Sequence, residues 1–303
     1  MSEKEPQRAL GDVAARQLAN ATKTVPQMIS ITPRWLTRLL PWVPVEAGIY
    51  RLNKVKDASR VLVACTLRDE RELPETFVDF DENPREYMLT AVTTIVDVHT
   101  RVSDLYSVPH DQIGEQLRLA IETIKEKQEA ELLNNREYGL LTNVTPGQTI
   151  KTRTGPPTPD DLDELLVKVW KEPAFFLAHP RAIAAFGREC TRRGVPPATV
   201  SIQGSQFITW RGVPIFPTDK LNIEDGKSKI VLVRVGENRQ GVVGLYQPGL
   251  PGEHGMGLSV RFMGVSRKAI ASYLISLYCS LVVMTDDAIA VLTDVEVDKY
   301  HDR

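Results

Sequence analysis

Apolar residues recur at helical spacing over residues 109–134, the longest periodic segment of the chain. The apolar stripe consists of Ile113, Leu117, Ala120, Ile121, Ile124 and Leu132. The other face carries i,i+4 pairs of lysine and glutamate, which suit an exposed helical surface: Lys125–Glu129 and Lys127–Glu131. Pro109 suits the first turn of a helix, and Asn134 suits its end. The pattern therefore predicts one amphipathic helix about 39 Å long.

Two shorter helices bracket an apolar strand between residues 158 and 194. Thr158 is a good N-cap, and Pro159 suits the first helical position. The first helix, which Pro173 stops, is predicted to bury Leu162, Leu165, Leu166, Val169 and Trp170. The run AFFLA at residues 174–178 then predicts a buried strand. His179 is predicted to cap the second helix, which Gly194 ends.

Strand signals fill much of the remaining chain. Residues 50–67 and residues 229–246 each predict a hairpin, and residues 86–104 are rich in β-branched residues. FITWRGVPIFP predicts two strands around a glycine turn, and the prolines at 214 and 217 predict that the second is an edge or bulged strand. Single strands are predicted at residues 258–263 and 288–297.

The nearly charge-free run at residues 269–284, AIASYLISLYCSLVVM, is predicted to be a buried core helix. A membrane span needs about 20 apolar residues, and this run is shorter.

The N-terminal third contains two segments with little apolar material. Residues 1–30 are polar, and they predict either a disordered tail or an arm that orders only against a neighbouring subunit. Residues 68–86 are acidic and predict a solvated loop. Between them, residues 31–50 place two tryptophans among prolines, which predicts an anchor. For Trp35, the pattern is equally consistent with a place in the core of the subunit and with a contact at an interface.

Bulk composition narrows the function classes. The formal net charge of -2 over 303 residues argues against a general nucleic-acid binder. The three cysteines, Cys65, Cys190 and Cys279, are too few and too widely spaced for a disulfide framework or a zinc site. The N-terminal MSEKEPQR lacks the apolar segment of a secretory signal, so a cytoplasmic location is expected.

Catalytic patterns do not emerge from the sequence. It contains no Gly-x-Ser-x-Gly, P-loop, His-Glu-x-x-His or Cys-x-x-Cys motif, and its five histidines are scattered. The acidic residues at 160, 161, 163 and 164 have a simpler cause in the helix dipole. We therefore expect no catalytic, cofactor or metal site.

The order helix, AFFLAHP, helix and WRGVPIFPTDKL resembles the axial domain of tailed-phage major capsid proteins. The family's turn signature is matched by Gly212, Pro214, Thr218, Asp219 and Leu221. Two long stretches, WKEPAFFLAHPRAIAAFGRECTRRGVPP and ITPRWLTRLLPWVPVEAGIYRLN, are more specifically similar to the family-two encapsulins, which are bacterial shell proteins built on that fold. The resemblance covers residues 20–297.

The resemblance implies an α+β, phage-capsid-like fold with four parts. These are an N-terminal arm and anchor at 1–48, an extended β-loop at 49–98, a peripheral domain with a long spine helix at 99–151 and 264–303, and an axial domain at 152–263. Assembly contacts are then expected from Trp35, Leu39, Trp42, Tyr50, Phe77 and Phe80. Expected pore-lining residues are Arg192, Arg193, Pro251, Glu253 and His254.

The function that the resemblance implies is that of a shell protein. Many copies would close into an icosahedral nanocompartment in the cytoplasm, without nucleic acid or membrane as partners. The chain has no room for the cyclic-nucleotide-binding insertion of some family-two members. This implies the branch that encloses a cysteine desulfurase, which would bring its own pyridoxal phosphate, in sulfur metabolism or storage. The alternatives are a major capsid protein of a tailed phage and an unrelated α+β enzyme.

Overall fold

The computed structural model describes residues 31–55, 61–63, 74–99 and 112–300. Its α-helices are α1 (Trp35–Leu39), α2 (Gln112–Asn134), α3 (Pro159–Lys168) and α4 (Pro180–Arg192). Its strands are β1 (Trp42–Pro44), β2 (Ile49–Leu52), β3 (Arg85–Met88), β4 (Thr90–His99), β5 (Thr149–Lys151), β6 (Phe175–Ala178), β7 (Ala198–Ile202), β8 (Ser205–Trp210), β9 (Val213–Pro217), β10 (Lys227–Val233), β11 (Val242–Tyr246), β12 (Glu253–Gly255), β13 (Leu258–Val265), β14 (Ile270–Val283) and β15 (Ile289–Glu296). This mixture of helices and strands is the expected α+β class.

The strands form two large sheets and a small one. The seven-stranded sheet has the order β5-β15-β10-β6-β9-β8-β7. The six-stranded sheet has the order β1-β11-β14-β13-β12, with β4 also paired to β14. β2 and β3 form a two-stranded ribbon of their own.

Helix α2 confirms the predicted long helix over its described length. Its 23 residues span about 35 Å at 1.5 Å per residue, and the predicted first residues, 109–111, lie outside the described residues. Ile121 and Ile124 pack with Ile275 of the six-stranded sheet, whereas Leu132 and Leu133 reach a second core cluster. The apolar stripe therefore joins different parts of the core along one helix.

The prediction of a buried helix at residues 269–284 is wrong, because β14 occupies this run as the central strand of its sheet. Residues 270–279 pair with β4, and the run from 271 to 277 also pairs with β13 on the opposite edge. Residues 279–283 pair with β11. The strand has neighbours on both edges, and consecutive residues from 279 to 283 are buried. Such a strand loses the polar alternation that would distinguish it from a buried helix.

Both predicted hairpins pair differently from the prediction. β2 at Ile49–Leu52 pairs with β3 at Arg85–Met88, and most of its predicted partner lies outside the described residues. β10 and β11 belong to different large sheets, although they are neighbours in sequence. Alternation along a strand reports burial of one face, but it does not identify the partner strand.

Strand β9 was predicted to be an edge or bulged strand, and this is wrong because it lies between β6 and β8. The two neighbours pair with different halves of it. β8 pairs at Val213 and Pro214, and β6 pairs from Ile215 to Pro217. A strand that is paired on one side at a time can place prolines where no ladder hydrogen bond is required.

The cap signals around α3 and α4 are confirmed. Thr158 forms a capping box with Asp161, and His179 accepts a hydrogen bond from the backbone N–H of Arg181. One detail differs, because α3 ends at Lys168, before Pro173. Trp170 therefore lies beyond the helix and is 70% exposed, so it does not belong to the apolar face.

The predicted domain bounds cut across the sheets. Within the stretch 152–263, β11 and β12 belong to the six-stranded sheet, together with β4 from the preceding part of the chain. Within the stretch 264–303, β14 belongs to the six-stranded sheet and β15 to the seven-stranded one. The chain thus contributes to both sheets alternately, and the four-part division stays a prediction.

Candidate assembly surfaces

The residues leading into α1 are held on α2 by glutamates. Glu126 accepts hydrogen bonds from the backbone N–H and the hydroxyl of Thr32, at 2.9 and 2.7 Å. It also pairs with the Lys220 ammonium at 2.9 Å. Glu122 accepts from the Arg34 guanidinium at 2.6 Å. Burial opposes ionisation of both carboxyls, but these hydrogen bonds outweigh it and lower both pKa values.

Glu129, one turn further along α2, caps the start of α1. Its carboxylate accepts from the backbone N–H groups of Leu36 and Thr37, at 2.9 and 2.8 Å. Its side chain is buried, and burial raises its pKa. The prediction of an exposed Lys125–Glu129 pair is wrong, because Lys125 pairs with Glu122 instead. The spacing of glutamates at 122, 126 and 129 on one helical face was the sequence signal for this contact.

Trp35 lies in the core of its own chain. It is 5% exposed, and its ring stacks on Phe216 at a centroid distance of 4.9 Å, with Phe207 edge-on at 5.1 Å. Little of this side chain is left for contact with another copy. The neighbouring Leu39 is partly buried against the same cluster.

Trp42 and Tyr50 lie nearer the surface. The indole N–H of Trp42 donates to the carbonyl of Thr37 at 3.0 Å, and its ring packs against Ile121 and Leu258. The hydroxyl of Tyr50 bonds to Glu237 at 3.1 Å. Both side chains are therefore partly engaged within the chain.

Phe77 and Phe80 lie on an extended antiparallel excursion. Beyond the β2–β3 ribbon, Val55 bridges Phe80, and the hydroxyl of Thr76 donates to the carbonyl of Leu62 at 3.2 Å. Phe77 is 85% exposed and Phe80 is 56% exposed. Further exposed apolar residues on this excursion are Val61, Leu62, Val63, Val78 and Met88. A cluster of exposed apolar residues on one excursion is the pattern of a surface that another molecule covers.

The pore-lining candidates fall into two separate groups. Arg192 and Arg193, at the end of α4, pair with Glu189 at 2.7 Å and Asp160 at 3.3 Å respectively. The other group lies on or just before β12, at the edge of the six-stranded sheet. There the Glu253 carboxylate accepts from the backbone N–H of Gly249 at 3.1 Å.

His254 of the second group borders a cavity of about 320 Å³ that Trp42 and Lys125 also line. The structure therefore places this histidine beside the long helix α2 and on the six-stranded sheet, whereas α4 with its arginines packs on the seven-stranded sheet.

Two kinds of reactive site are relevant to the described residues, a metal-binding cluster and a nucleophilic thiol. No group of three or more His, Cys, Asp or Glu side chains there is placed to hold a metal ion. Burial raises the pKa of Cys190 to about 11 and that of Cys279 to about 12, so these free thiols are poor nucleophiles. Cys65 lies outside the described residues. Among the helices described, none is both long and apolar enough to cross a membrane.

Comparison with known proteins gives matches over nearly the whole chain. A profile of the family described as "Type 2A encapsulin shell protein SrpI-like" matches residues 49–299. The type 2A encapsulin shell protein SrpI of Synechococcus elongatus is 75% identical over 301 residues, which are 99% of this chain and 98% of that protein. A type 2A encapsulin shell protein of Mycolicibacterium paratuberculosis is 64% identical over 297 residues, 97% of each chain.

Solved structures agree with the sequence matches. The cryo-EM structure of the holo-SrpI encapsulin complex from Synechococcus elongatus PCC 7942 matches with a TM-score of 0.85 at 71% identity, over 98% of this chain and 99% of that one. The capsid of an empty GTA particle matches with a TM-score of 0.66 at 14% identity, over 95% of this chain and 98% of that one. The second match shows a shared capsid fold and nothing more.

Proposed function

The chain belongs to the SrpI-like type 2A encapsulin shell proteins, and we propose that its shell is a cytoplasmic nanocompartment that encloses a cysteine desulfurase. As an encapsulin shell protein it builds an icosahedral compartment from many copies, and its role is structural and not catalytic. The cargo, its use in sulfur metabolism or storage, and the cytoplasmic location are the proposed parts.

The exposed excursion carries the argument for contact between copies. A two-stranded ribbon is not stable by itself in water, so it needs a partner surface. The exposed rings of Phe77 and Phe80 provide an apolar area for such a contact. Identical copies that make such head-to-tail contacts form a closed assembly when successive rotations return to the first copy, and an open filament when they do not.

The choice of cargo rests on the branch of the family. The alignments with type 2A relatives run nearly end to end on both chains, which leaves no room for an inserted cyclic-nucleotide-binding domain. The resemblance links the branch without this insertion to a cysteine desulfurase. The desulfurase would supply its own pyridoxal phosphate, so the proposal requires no cofactor from the shell protein. A phage capsid role is less favoured, because the phage-type matches are only 11–14% identical.

Co-expression of this chain with a cysteine desulfurase tests whether the enzyme is enclosed. Shells from the chain expressed alone are the comparison. Purified shells should then carry a second protein band, the yellow absorbance of pyridoxal phosphate and cysteine-dependent sulfur release. The band should resist added protease while the shell is closed. An unrelated pyridoxal-phosphate enzyme of similar size is the matched control, and it should stay outside.

The two parts of the proposal can fail separately. A chain that stays monomeric or dimeric at high concentration and physiological salt contradicts assembly itself. Closed shells that exclude the desulfurase and load a different protein contradict only the sulfur role.

Pore lining is also part of the proposal, with Arg192 and Arg193 as one group and Pro251, Glu253 and His254 as the other. Replacing both arginines by glutamate should change the apparent KM of the enclosed desulfurase for cysteine, since cysteine enters as a zwitterion whose carboxylate and ammonium groups each interact with charges that line the pore. The free desulfurase, measured alongside, should be unaffected. An unchanged KM with intact shells excludes the arginines from the entry path.

A further inference from the structure

The chain passes directly between the two large sheets at two places that lie side by side. Residues 234–241 lead from β10 to β11, and residues 284–288 lead from β14 to β15. The backbone N–H of Arg234 donates to the carbonyl of Ala288 at 2.8 Å, and that of Met284 donates to Gly241 at 3.2 Å. Each crossing is therefore hydrogen-bonded to the other at both ends.

The side chain of Arg234 connects the two crossings a second time. It is 1% exposed. Its Nη2 donates to Asp287 Oδ1 at 2.7 Å and to Thr285 Oγ1 at 2.8 Å, and it reaches the carbonyl of Gln240 at 3.4 Å. The hydroxyl of Thr285 also donates, lying 2.9 Å from the Gln240 carbonyl and 2.7 Å from Asp287 Oδ1. One guanidinium thus holds a residue of its own crossing and two residues of the other.

The charges around this contact keep it ionised. Burial opposes ionisation of Asp287, but hydrogen bonds from Arg234, Thr285 and Lys171 outweigh it and hold its pKa well below the usual range. Lys171, just beyond α3, lies 2.9 Å from the same carboxylate. A planar guanidinium can serve several acceptors at fixed angles, which an ammonium or an apolar side chain cannot do.

Each sheet, with the elements packed on it, presents its own exposed apolar residues. Ile95, Phe262 and Val265 lie on the six-stranded sheet. Val200 lies on the seven-stranded sheet, and Trp170 follows the helix that packs on it. If both sets contact neighbouring copies, the angle between the sheets decides the angle between those neighbours. That angle sets the curvature of a closed shell.

We propose that Arg234, with Asp287 and Thr285, is a staple that fixes the angle between the two sheets and thereby the diameter of the shell. The proposal rests on the proposed closure of many copies into a shell. It assigns Arg234 a positioning role in assembly in addition to its contribution to the fold of one subunit.

Arg234→Met removes the guanidinium and keeps an unbranched buried side chain. Arg239→Met is the matched control, because Arg239 belongs to the same crossing but forms an exposed pair with Glu172 at 2.7 Å. Particle diameters are measured by negative-stain images, and hydrogen exchange is measured over residues 236–241 and 284–288. We expect Arg234→Met to broaden or shift the diameter distribution and to speed exchange at both crossings. Arg239→Met should change neither.

Thr285→Val keeps the Arg234–Asp287 pair but removes the hydroxyl that joins it to Gln240, so it serves if Arg234→Met does not fold. It should broaden the diameter distribution to a smaller extent. Folded variants with the diameter distribution of the unaltered protein overturn the staple, whatever their melting temperature. Failure of the unaltered protein to form shells contradicts the proposed closure instead, so the two failures are distinguishable.

Discussion

The six-membered ring of Trp42 lies directly against the backbone of Gly244. The two residues face each other in the parallel pairing of β1 with β11, and a Cβ atom on Gly244 would come within 2.7 Å of Cε3 of the ring. Real Cβ atoms do not approach other heavy atoms this closely. The glycine is therefore required by the position of the indole, and the contact fixes the segment after α1 on the six-stranded sheet.

Gly244→Ala should destabilise the protein by about 1–3 kcal/mol, because the added methyl group must displace the indole or the strand. The midpoint of urea unfolding measures the change. Gly187→Ala is the matched control, since a Cβ there meets nothing within 4 Å on helix α4. That variant should be as stable as the unaltered protein or more stable by about 0.5–1 kcal/mol. Equal effects of the two substitutions would contradict the close contact.

Trp42→Ala should cost about 3 kcal/mol, the lower end of the range for a tryptophan truncated in a core, because the ring is only partly buried. It also loses the hydrogen bond to the carbonyl of Thr37. We expect poor solubility or loss of shells, measured as the soluble yield and the fraction of protein that elutes as particles. Trp42→Phe keeps most of the ring and should retain assembly. Wild-type behaviour of the alanine variant would show that the side chain supports neither the fold nor assembly.

Replacing Phe77 and Phe80 together by serine should leave the subunit folded but reduce shell yield at least tenfold. Both rings are mostly exposed in the single chain, so their removal costs the subunit core little. Circular dichroism checks the fold, and size-exclusion chromatography measures the yield of shells. The double leucine variant preserves apolar area and should still assemble. If the serine variant forms shells in normal yield, these rings are not assembly contacts.

Deleting residues 1–30 should leave a folded body and weaken or abolish closed shells. The deletion retains Thr32 and Arg34, which hold the start of the described chain on α2. The deleted segment has little apolar content, so its loss should cost the subunit core little. A variant in which residues 1–30 are scrambled keeps the length and composition of the arm. It therefore distinguishes sequence-specific contacts from an effect of arm length alone. Unchanged yield and melting temperature after deletion would mean that these residues are merely a tail.

Glu126→Gln should lower stability by about 1 kcal/mol at pH 7, because the carboxylate loses its ionic hydrogen bonds to Lys220 and Thr32. The lowered pKa of Glu126 gives the pH dependence its sign. Its contribution is present above the ordinary carboxyl pKa and is lost as the pH falls through the lower folded value.

The stability difference between Glu126→Gln and the unaltered protein should therefore shrink below about pH 4. Thermal unfolding between pH 3 and 7 measures it. Glu115→Gln removes a more exposed pair with Arg118 and should change stability by less than about 0.5 kcal/mol. A difference that grows on acidification would contradict the assigned sign.

Local signals in the sequence predicted helices α2, α3 and α4, but they did not predict α1, and the helix predicted at residues 269–284 is a strand. The capping box at Thr158, the cap at His179 and the left-handed Gly194 act within a few residues, so their effect can be read without knowledge of the fold. The same holds for the long helix α2, whose apolar stripe repeats over many turns. Of the candidate residues, Phe77 and Phe80 were recognisable as apolar rings in an acidic, coreless segment.

Pairing between distant strands was beyond the reach of local patterns. The run at residues 270–283 carries no charge and shows no regular polar alternation, and its length suits a helix or a strand. It is a strand because β4, β13 and β11 supply partners for its backbone on both edges. The spacing of glutamates on α2 marked a polar face but did not identify the partner of Glu129, since that partner is the backbone of a segment more than ninety residues away.

The sequence by itself determined the secondary structure wherever one segment satisfied its own backbone, through helical hydrogen bonds, caps and turns. It also carried, through its resemblance to known shells, the family to which the chain belongs. Only the tertiary structure decided which strands share a sheet and where the chain crosses between the sheets. It likewise decided that Arg234 lies buried at both crossings. The physical reason is that a strand leaves its hydrogen bonds to be completed by whichever distant segment folds beside it.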